Sequence, residues 1–461
     1  MQNATASRDS IAPARKMMLG SDTQIWTTLC QRTNAPDNRL SNALSNALIT
    51  LVTMSLLFAT TLGSPAAAAN GNGNYEWVAT WSTSLHEPDL GVPGLANTGF
   101  SNQTLRQIVH TSIGGRQVRV RLSTFKAKGL VIGSAHIALR SAGAAIVPGS
   151  DRTLTFGGKP SIILPTGASV VSDGVDLEVP ALGDLAISIF VPENTGPATW
   201  HFEARQSLYI SSAGDFTASP ILPIAATVAA WFWLSGVDVT VPERTGSIAA
   251  FGESVTDGSQ STMDANHRWT DQLAQRLIAQ HGNHARGVLN EGLAGGRLLH
   301  DSLGPNGLAR FGRDVLSQTG LTHVMVHMGG NDLFSLNPAE EVTADQIIQG
   351  HKQLIVRAHA KGLRIYGCTL TPVEGFLVPG TPFPVFSPSS EAKRQAVNAW
   401  IRTSSEYDAM IDFDAIIRDP NSPTRILAVY DSGDHGHPND AGYKALADTI
   451  DLKLFKNGRK Q

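Results

Sequence analysis

Between Trp77 and about Val241, apolar residues recur at every second position in short runs. Val118, Val120 and Leu122 alternate with Arg119 and Arg121, and Val175, Leu177 and Val179 alternate with Asp176 and Glu178. A period of two places one face of a strand against a core and the other against solvent. The runs 185–191 and 231–241 read the same way, and Pro148-Gly149 and Pro165-Thr166-Gly167 supply turn signals between runs. Residues 75–241 are therefore predicted to form a β-rich domain, a sandwich or jelly roll. After Pro242-Glu243-Arg244-Thr245 the rhythm changes. Short apolar strands at 247–251, 287–289, 323–328, 364–370 and 410–413 alternate with amphipathic helical stretches, one marked by Trp269, Leu273, Leu277 and Ile278 and another over 343–361. Five strands separated by helices predict an α/β domain over 246–456: a parallel sheet covered on both faces, with its functional groups on loops at the carboxyl ends of the strands.

Residues 1–69 follow neither rhythm. Arg15, Lys16, Arg32 and Arg39 precede an uncharged apolar run over 47–62, and Ser64-Pro65-Ala66-Ala67-Ala68-Ala69 comes after it. That order predicts a signal peptide and leader cleaved near Ala69, with an uncleaved anchor as the alternative. The run is shorter than the roughly 20 residues that span a bilayer. The expectation is a secreted protein, extracellular or periplasmic, with no stable membrane insertion after signal cleavage. A chain of 461 residues suits two cores. With 36 Lys and Arg against 39 Asp and Glu, it has no basic excess, which argues against nucleic acid as a partner. Cys30 would leave with the leader, so Cys368 has no partner for an intramolecular disulfide. Cys368 ends a predicted strand and reads as a packing residue or as a border of the site. Nothing in the pattern speaks to oligomeric state.

Four segments carry candidate chemistry. Phe251-Gly252-Glu253-Ser254-Val255-Thr256-Asp257-Gly258 joins the first predicted strand of the α/β region to its helix, a turn that exposes a serine or merely caps the helix. It is not the Gly-x-Ser-x-Gly elbow, because position 256 is Thr. Asp431-Ser432-Gly433-Asp434-His435-Gly436-His437-Pro438-Asn439-Asp440 places Asp434 three residues before His437. In a turn, that spacing orients an imidazole through Nδ1 and leaves Nε2 to take a serine proton. The same stretch also suits plain turn chemistry, or a metal site built on His435 and His437. Asn290-Glu291-Gly292-Leu293-Ala294-Gly295-Gly296 and Met328-Gly329-Gly330-Asn331-Asp332 end the second and third strands. Their glycines let backbone N–H groups approach a substrate, and an Asn amide is an uncharged donor for an oxyanion; loop turns and helix caps are the alternative.

Taken together, the four segments resemble the SGNH (GDSL-like) hydrolases. Gly252-Glu253-Ser254, the Gly of Leu293-Ala294-Gly295, Gly329-Gly330-Asn331-Asp332 and Asp434-x-x-His437 match that family's four blocks. The resemblance implies a flavodoxin-like three-layer parallel sheet preceded here by the β-rich domain. It also implies a catalytic triad of Ser254, Asp434 and His437, an oxyanion hole of Ser254, Gly295 and Asn331, and no metal or organic cofactor. Glu253 stands where the family usually has Asp. Upstream, Trp77-Val78-Ala79-Thr80-Trp81 and Asn102-Gln103-Thr104-Leu105-Arg106-Gln107 resemble the leading region of extracellular XynE-like acylhydrolases. The function so implied is a secreted serine esterase acting on a small-molecule or polysaccharide ester, with short acyl (acetyl) groups on carbohydrates as the leading substrate. Lipase or lysophospholipase activity is one alternative. Another is a carbohydrate-binding protein with a degenerate hydrolase domain, in which Trp200, Trp231 and Trp233 stack on sugars or else simply pack the core.

Overall fold

Alternating apolar positions between Trp77 and Val241 build two main antiparallel sheets. The computed structural model describes residues 74–88, 95–125, 127–335 and 337–456, so the leader expected over 1–69 lies outside the described residues. The first sheet orders Tyr75–Ser82, Leu234–Pro242, Gly115–Ser123 and Val175–Val179, with Ser169–Val171 also paired to Gly115–Ser123. The second orders Ile224–Val228, Leu208–Ala213, Gln103–His110, Asp184–Val191, Ser134–Ala142 and Ala145–Ile146. Val118, Val120 and Leu122 from the first meet Leu105, Ile137, Ile187 and Ile189 from the second in one buried cluster, the interior of a sandwich. One charge is enclosed near it. The Arg106 guanidinium donates to Ser188 Oγ and to the carbonyls of Ala144, Phe216, Thr217 and Ser219, so all three of its nitrogens are satisfied.

The apolar run over 231–241 is not one strand. Ala230–Phe232 pairs with Trp200–Phe202, whereas Leu234–Pro242 lies between Tyr75–Ser82 and Gly115–Ser123. The chain turns at Trp233, whose φ is +56°. Both pieces and the turn between them are buried, so hydrophobicity runs on through a change of backbone direction. Trp200, Trp231 and Trp233 are all core residues. Burial removes them from any sugar-stacking role at a surface.

Downstream, five strands form a wholly parallel sheet: β1 (Ser247–Gly252), β2 (Gly287–Gly292), β3 (Leu321–His327), β4 (Arg364–Cys368) and β5 (Ala409–Ile411). Their order is β2-β1-β3-β4-β5, the flavodoxin-like arrangement. Ile248 and Ala250 of β1 pack to one side, and Ala249 and Phe251 to the other. Helices Trp269–His281 and Asp440–Asp448 cover the first side; Ala344–His359 and Pro388–Thr403 cover the second. Thr343 and Ser387 start the latter two helices with capping boxes. The strand runs are mainly apolar because both faces are buried, with Glu291, His323 and His327 as buried polar exceptions.

The hydrophobic interior is divided by the parallel sheet and not by the 242–246 junction. One cluster includes the sandwich core, Trp269, Met325, Phe413 and Tyr443; the second lies on the sheet's other face. Cys368 is buried in the first. The junction between regions is polar as well as apolar. Strand β2 is the sheet edge, and Tyr75–Ser82 runs beside it: Ala79 N–H donates to Thr319 O at 3.0 Å, and Val288 N–H to Ser112 Oγ at 2.9 Å. Ser82 and Ser84 donate to the buried Glu291 carboxylate at 2.5 and 2.9 Å. An open edge strand is thereby covered. No helix among the described residues is long and apolar enough to cross a membrane.

Candidate active site

Strand order reverses between β1 and β3, and the crevice beyond the carboxyl ends of such a pair is where doubly wound sheets hold ligands. Ser254 comes two residues after the end of β1. It opens the short helix Ser254–Asp257, preceded by Glu253 in extended conformation and closed by Gly258 at φ +102°. A first-turn N–H has no helical carbonyl to bond, so the Ser254 N–H is left for another acceptor.

His437 arrives from the far end of the chain. Its Nε2 lies 2.7 Å from Ser254 Oγ and its Nδ1 2.7 Å from Asp434 Oδ2. The other carboxylate oxygen, Oδ1, accepts the N–H groups of Gly436 and His437 at 2.9 Å each and the Ser432 hydroxyl at 3.0 Å. Burial pushes the Asp434 carboxyl up, but the His437 hydrogen bond and charge, with those backbone donors, hold it well below the usual carboxylate range. An ionised Asp434 can only accept, so it requires the Nδ1–H tautomer and leaves the Nε2 lone pair toward Ser254 Oγ. Phe376 stands edge-on to the imidazole at 5.0 Å between ring centres. His435 turns elsewhere, to Asp431 Oδ2 at 2.6 Å, so the two histidines do not converge on a common ligand position.

The two glycine-bearing loops adjoin each other. Asn331 Nδ2 donates to Gly296 O at 3.0 Å, which fixes the orientation of the amide and leaves its second N–H over. Gly295 turns at φ +69°, and a Cβ there would meet Leu303 at 2.5 Å, so both backbone and space demand glycine. Glu253 ties the third-strand loop to the nucleophile turn: its carboxylate accepts Gly329 N–H at 2.5 Å and Asn331 N–H at 3.0 Å. The Glu253 arm thus spans from the residue before Ser254 to the backbone of Asn331. Burial and the nearby Asp332 push the Glu253 carboxyl up to about 8, against the pull of three backbone N–H groups.

Several residues that hold these loops were not paired with their partners by the sequence pattern. Buried Arg310 donates to Gly252 O at 2.7 Å, to Glu291 O at 2.9 Å and to Ser84 Oγ at 2.8 Å. Asp332 accepts the N–H groups of Leu298 and Leu299 at 2.6 and 3.0 Å. Asp257 belongs to the nucleophile segment, but its partners, His201 and Ala294, are 56 and 37 residues away. A one-dimensional reading has no means to pair them.

Comparison with known proteins agrees in location. Residues 250–445 match the GDSL-like Lipase/Acylhydrolase family. Similar solved structures include Est24, a carbohydrate acetylesterase from Sinorhizobium meliloti (17% identity, 46% of this chain and 98% of that one, TM-score 0.36). Also similar are the aryl esterase of M. smegmatis (18%, 46% and 98%, TM-score 0.36) and a GDSL-like lipase from Bacteroides thetaiotaomicron VPI-5482 (16%, 46% and 88%, TM-score 0.34). No curated protein matches the chain.

Proposed function

Residues 250–445 being a GDSL-like lipase/acylhydrolase domain and the chain a carboxylic ester hydrolase, we propose that it cleaves esters in two steps through an acyl-Ser254 intermediate. The observation that carries the reading is the run of two 2.7 Å contacts from Asp434 through His437 to Ser254 Oγ. Ser254 Oγ attacks the ester carbonyl carbon while its proton passes to His437 Nε2, and the imidazolium so formed is balanced by Asp434. The carbonyl oxygen, now an oxyanion, takes hydrogen bonds from the Ser254 and Gly295 N–H groups and the spare N–H of Asn331 Nδ2. Collapse expels the alcohol, which receives the proton from His437. Water then repeats the sequence on the acyl-enzyme, releasing the acid and restoring the serine.

We further propose that the enzyme acts after export, with short acyl groups on carbohydrates as its leading substrates. The signal-like segment over 1–69 and the XynE-like pattern of the leading β strands support this assignment. A second reading, longer acyl chains, is favoured by one feature. The loop that carries Phe376 against His437 also exposes Leu377 and Phe383, 49% and 54% accessible. A panel of acetylated xylan, acetylated pectin and p-nitrophenyl esters of increasing chain length separates the two. For the mechanism itself, Ser254→Ala is expected to fold normally, to lose nearly all turnover of p-nitrophenyl acetate and to resist labelling by a serine-directed phosphonate. Retained turnover refutes the nucleophile.

A further inference from the structure

The β-sandwich region reaches into the site along one stretch, 201–207. His201 lies in Trp200–Phe202, a strand bonded on one side to Ala230–Phe232 and bridged on the other to His86. Its ring is 1% exposed and packs 5.5 Å from the Trp231 ring. Nδ1 lies 2.8 Å from Ser84 O, and Nε2 lies 3.0 Å from Asp257 Oδ1. A carbonyl oxygen can only accept, so Nδ1 carries a proton; an ionised Asp257 can only accept, so Nε2 carries one too. The pair is then a buried imidazolium and carboxylate. The second carboxylate oxygen, Asp257 Oδ2, accepts the N–H of Ala294 at 2.9 Å. Ala294 is the residue before Gly295.

Neighbouring residues of the same stretch hold the loop that follows the nucleophile helix. Glu203 accepts the Ser259 hydroxyl, and Arg205 donates to Ser261 O. Gln206 and Ser207 donate to Asp264, and Arg268 donates back to Ala204 O. Loop 257–268 is thus clamped by the sandwich, with the charged pair at its start.

We propose that His201 is a positioning residue for the hydrolase centre: through Asp257 it holds the backbone N–H of Ala294, and thereby aims the Gly295 N–H at the carbonyl oxygen of the substrate. This rests on the Ser254 and Gly295 roles given above. Removing the imidazole leaves the Asp257 carboxylate buried with one strong donor fewer, and a carboxylate so placed draws in water or turns away from Ala294. Burial works against the His201 charge, but Asp257 and the Ser84 carbonyl outweigh it and hold its pKa above the usual histidine value. The β region is then part of the catalytic unit and more than an accessory to it.

The test compares His201→Ala, His201→Gln and Asp257→Leu in the full chain, with Ser254→Ala as control, by steady-state kinetics on p-nitrophenyl acetate well below each variant's Tm. A misaimed donor of about 1 Å lowers the transition-state contribution by about 10²-fold. His201→Ala and Asp257→Leu, which leaves the Ala294 N–H with no acceptor, are expected to lose about that much in kcat with KM within a factor of two. His201→Gln, whose amide still donates toward Asp257, should recover most of the loss. Wild-type kcat in His201→Ala, a change confined to KM, or a His201→Gln no better than His201→Ala at equal Tm overturns the proposal. Should His201→Ala fail to fold, Asp257→Leu, which nearly keeps the side-chain shape but can accept no hydrogen bond, carries the same expectation. Turnover by Ser254→Ala would instead sink the nucleophile assignment and leave the His201 result to be read on its own.

Discussion

The sandwich and the parallel sheet both bury polar groups, and they do so to different ends. In the sandwich, Arg106 is wholly enclosed and its guanidinium donates to five neutral oxygens, joining strands Gln103–His110 and Asp184–Val191 to the loop over 216–219. Every donor it uses is spent on the protein itself. At the ends of β1 and β3, by contrast, Asp434, His437 and Ser254 make a chain that stops at a hydroxyl, and Asn331 uses one amide hydrogen and keeps another. A closed set of hydrogen bonds fixes architecture. A set left open by one group is where substrate can complete it.

The largest effect that would sharpen this contrast is expected from Asp434→Asn. It preserves shape but favours the wrong imidazole tautomer, and kcat should fall by about 10⁴-fold with little change in Tm. A Tm loss with kcat retained would place Asp434 among the architectural groups instead. Next comes Arg106→Met, which leaves several buried carbonyls without their donor and should lower unfolding free energy by on the order of 3 kcal/mol. Urea denaturation checks this, and kcat per folded molecule should be unchanged. A kcat loss in the folded fraction would break the division of labour drawn here. Asn331→Ala should lower kcat by about 10²- to 10³-fold, the effect of one missing oxyanion donor, with KM nearly constant. Glu253→Ala removes the acceptors of both the Gly329 and the Asn331 N–H groups. It should cost about tenfold in kcat through a loosened Asn331 loop.

The smallest and most general expectation concerns acid. Burial holds His86 and His323 at about 3 and His327 and His351 at about 4, so all four fold as neutral rings. Unfolded, they titrate near 6.5, and the unfolded chain therefore binds more protons between those values. Their contribution is fully present above about pH 6.5 and is lost progressively as pH falls toward 4 and then 3. His86 sits in the sandwich region and the other three in the α/β region, yet one core cluster runs through both. The urea midpoint should fall in a single transition as pH drops from 7 to 4.5. Two separate transitions would show that the regions unfold independently.

Much of the α/β architecture was legible from the pattern. The five predicted strands coincide with β1 to β5 to within three residues at either end, because strands buried on both faces write mainly apolar runs between polar turns. Ser254, Asp434 and His437 were legible for a related reason: each sits in a short Gly- and Asp-rich segment at a strand or helix boundary, where local chemistry is dense. The break at Trp233 was not legible, since a turn inside the core leaves no polar mark. Nor was the pairing of Ser82 and Ser84 with Glu291, whose partners lie 209 and 207 residues apart.

By itself the sequence determined the alternation of strands and helices, the candidate nucleophile and its imidazole, and the glycines that admit backbone close to a substrate. These depend on residue type and on neighbours a few positions away. Tertiary structure alone decided that Glu253 would bind the Asn331 backbone and that the interior would be divided by the sheet and not by the junction between regions. It alone decided, too, that His201 would meet Asp257. Those contacts join segments tens to hundreds of residues apart, and the side chains that make them are ordinary until packing removes water and leaves each donor with one acceptor in reach.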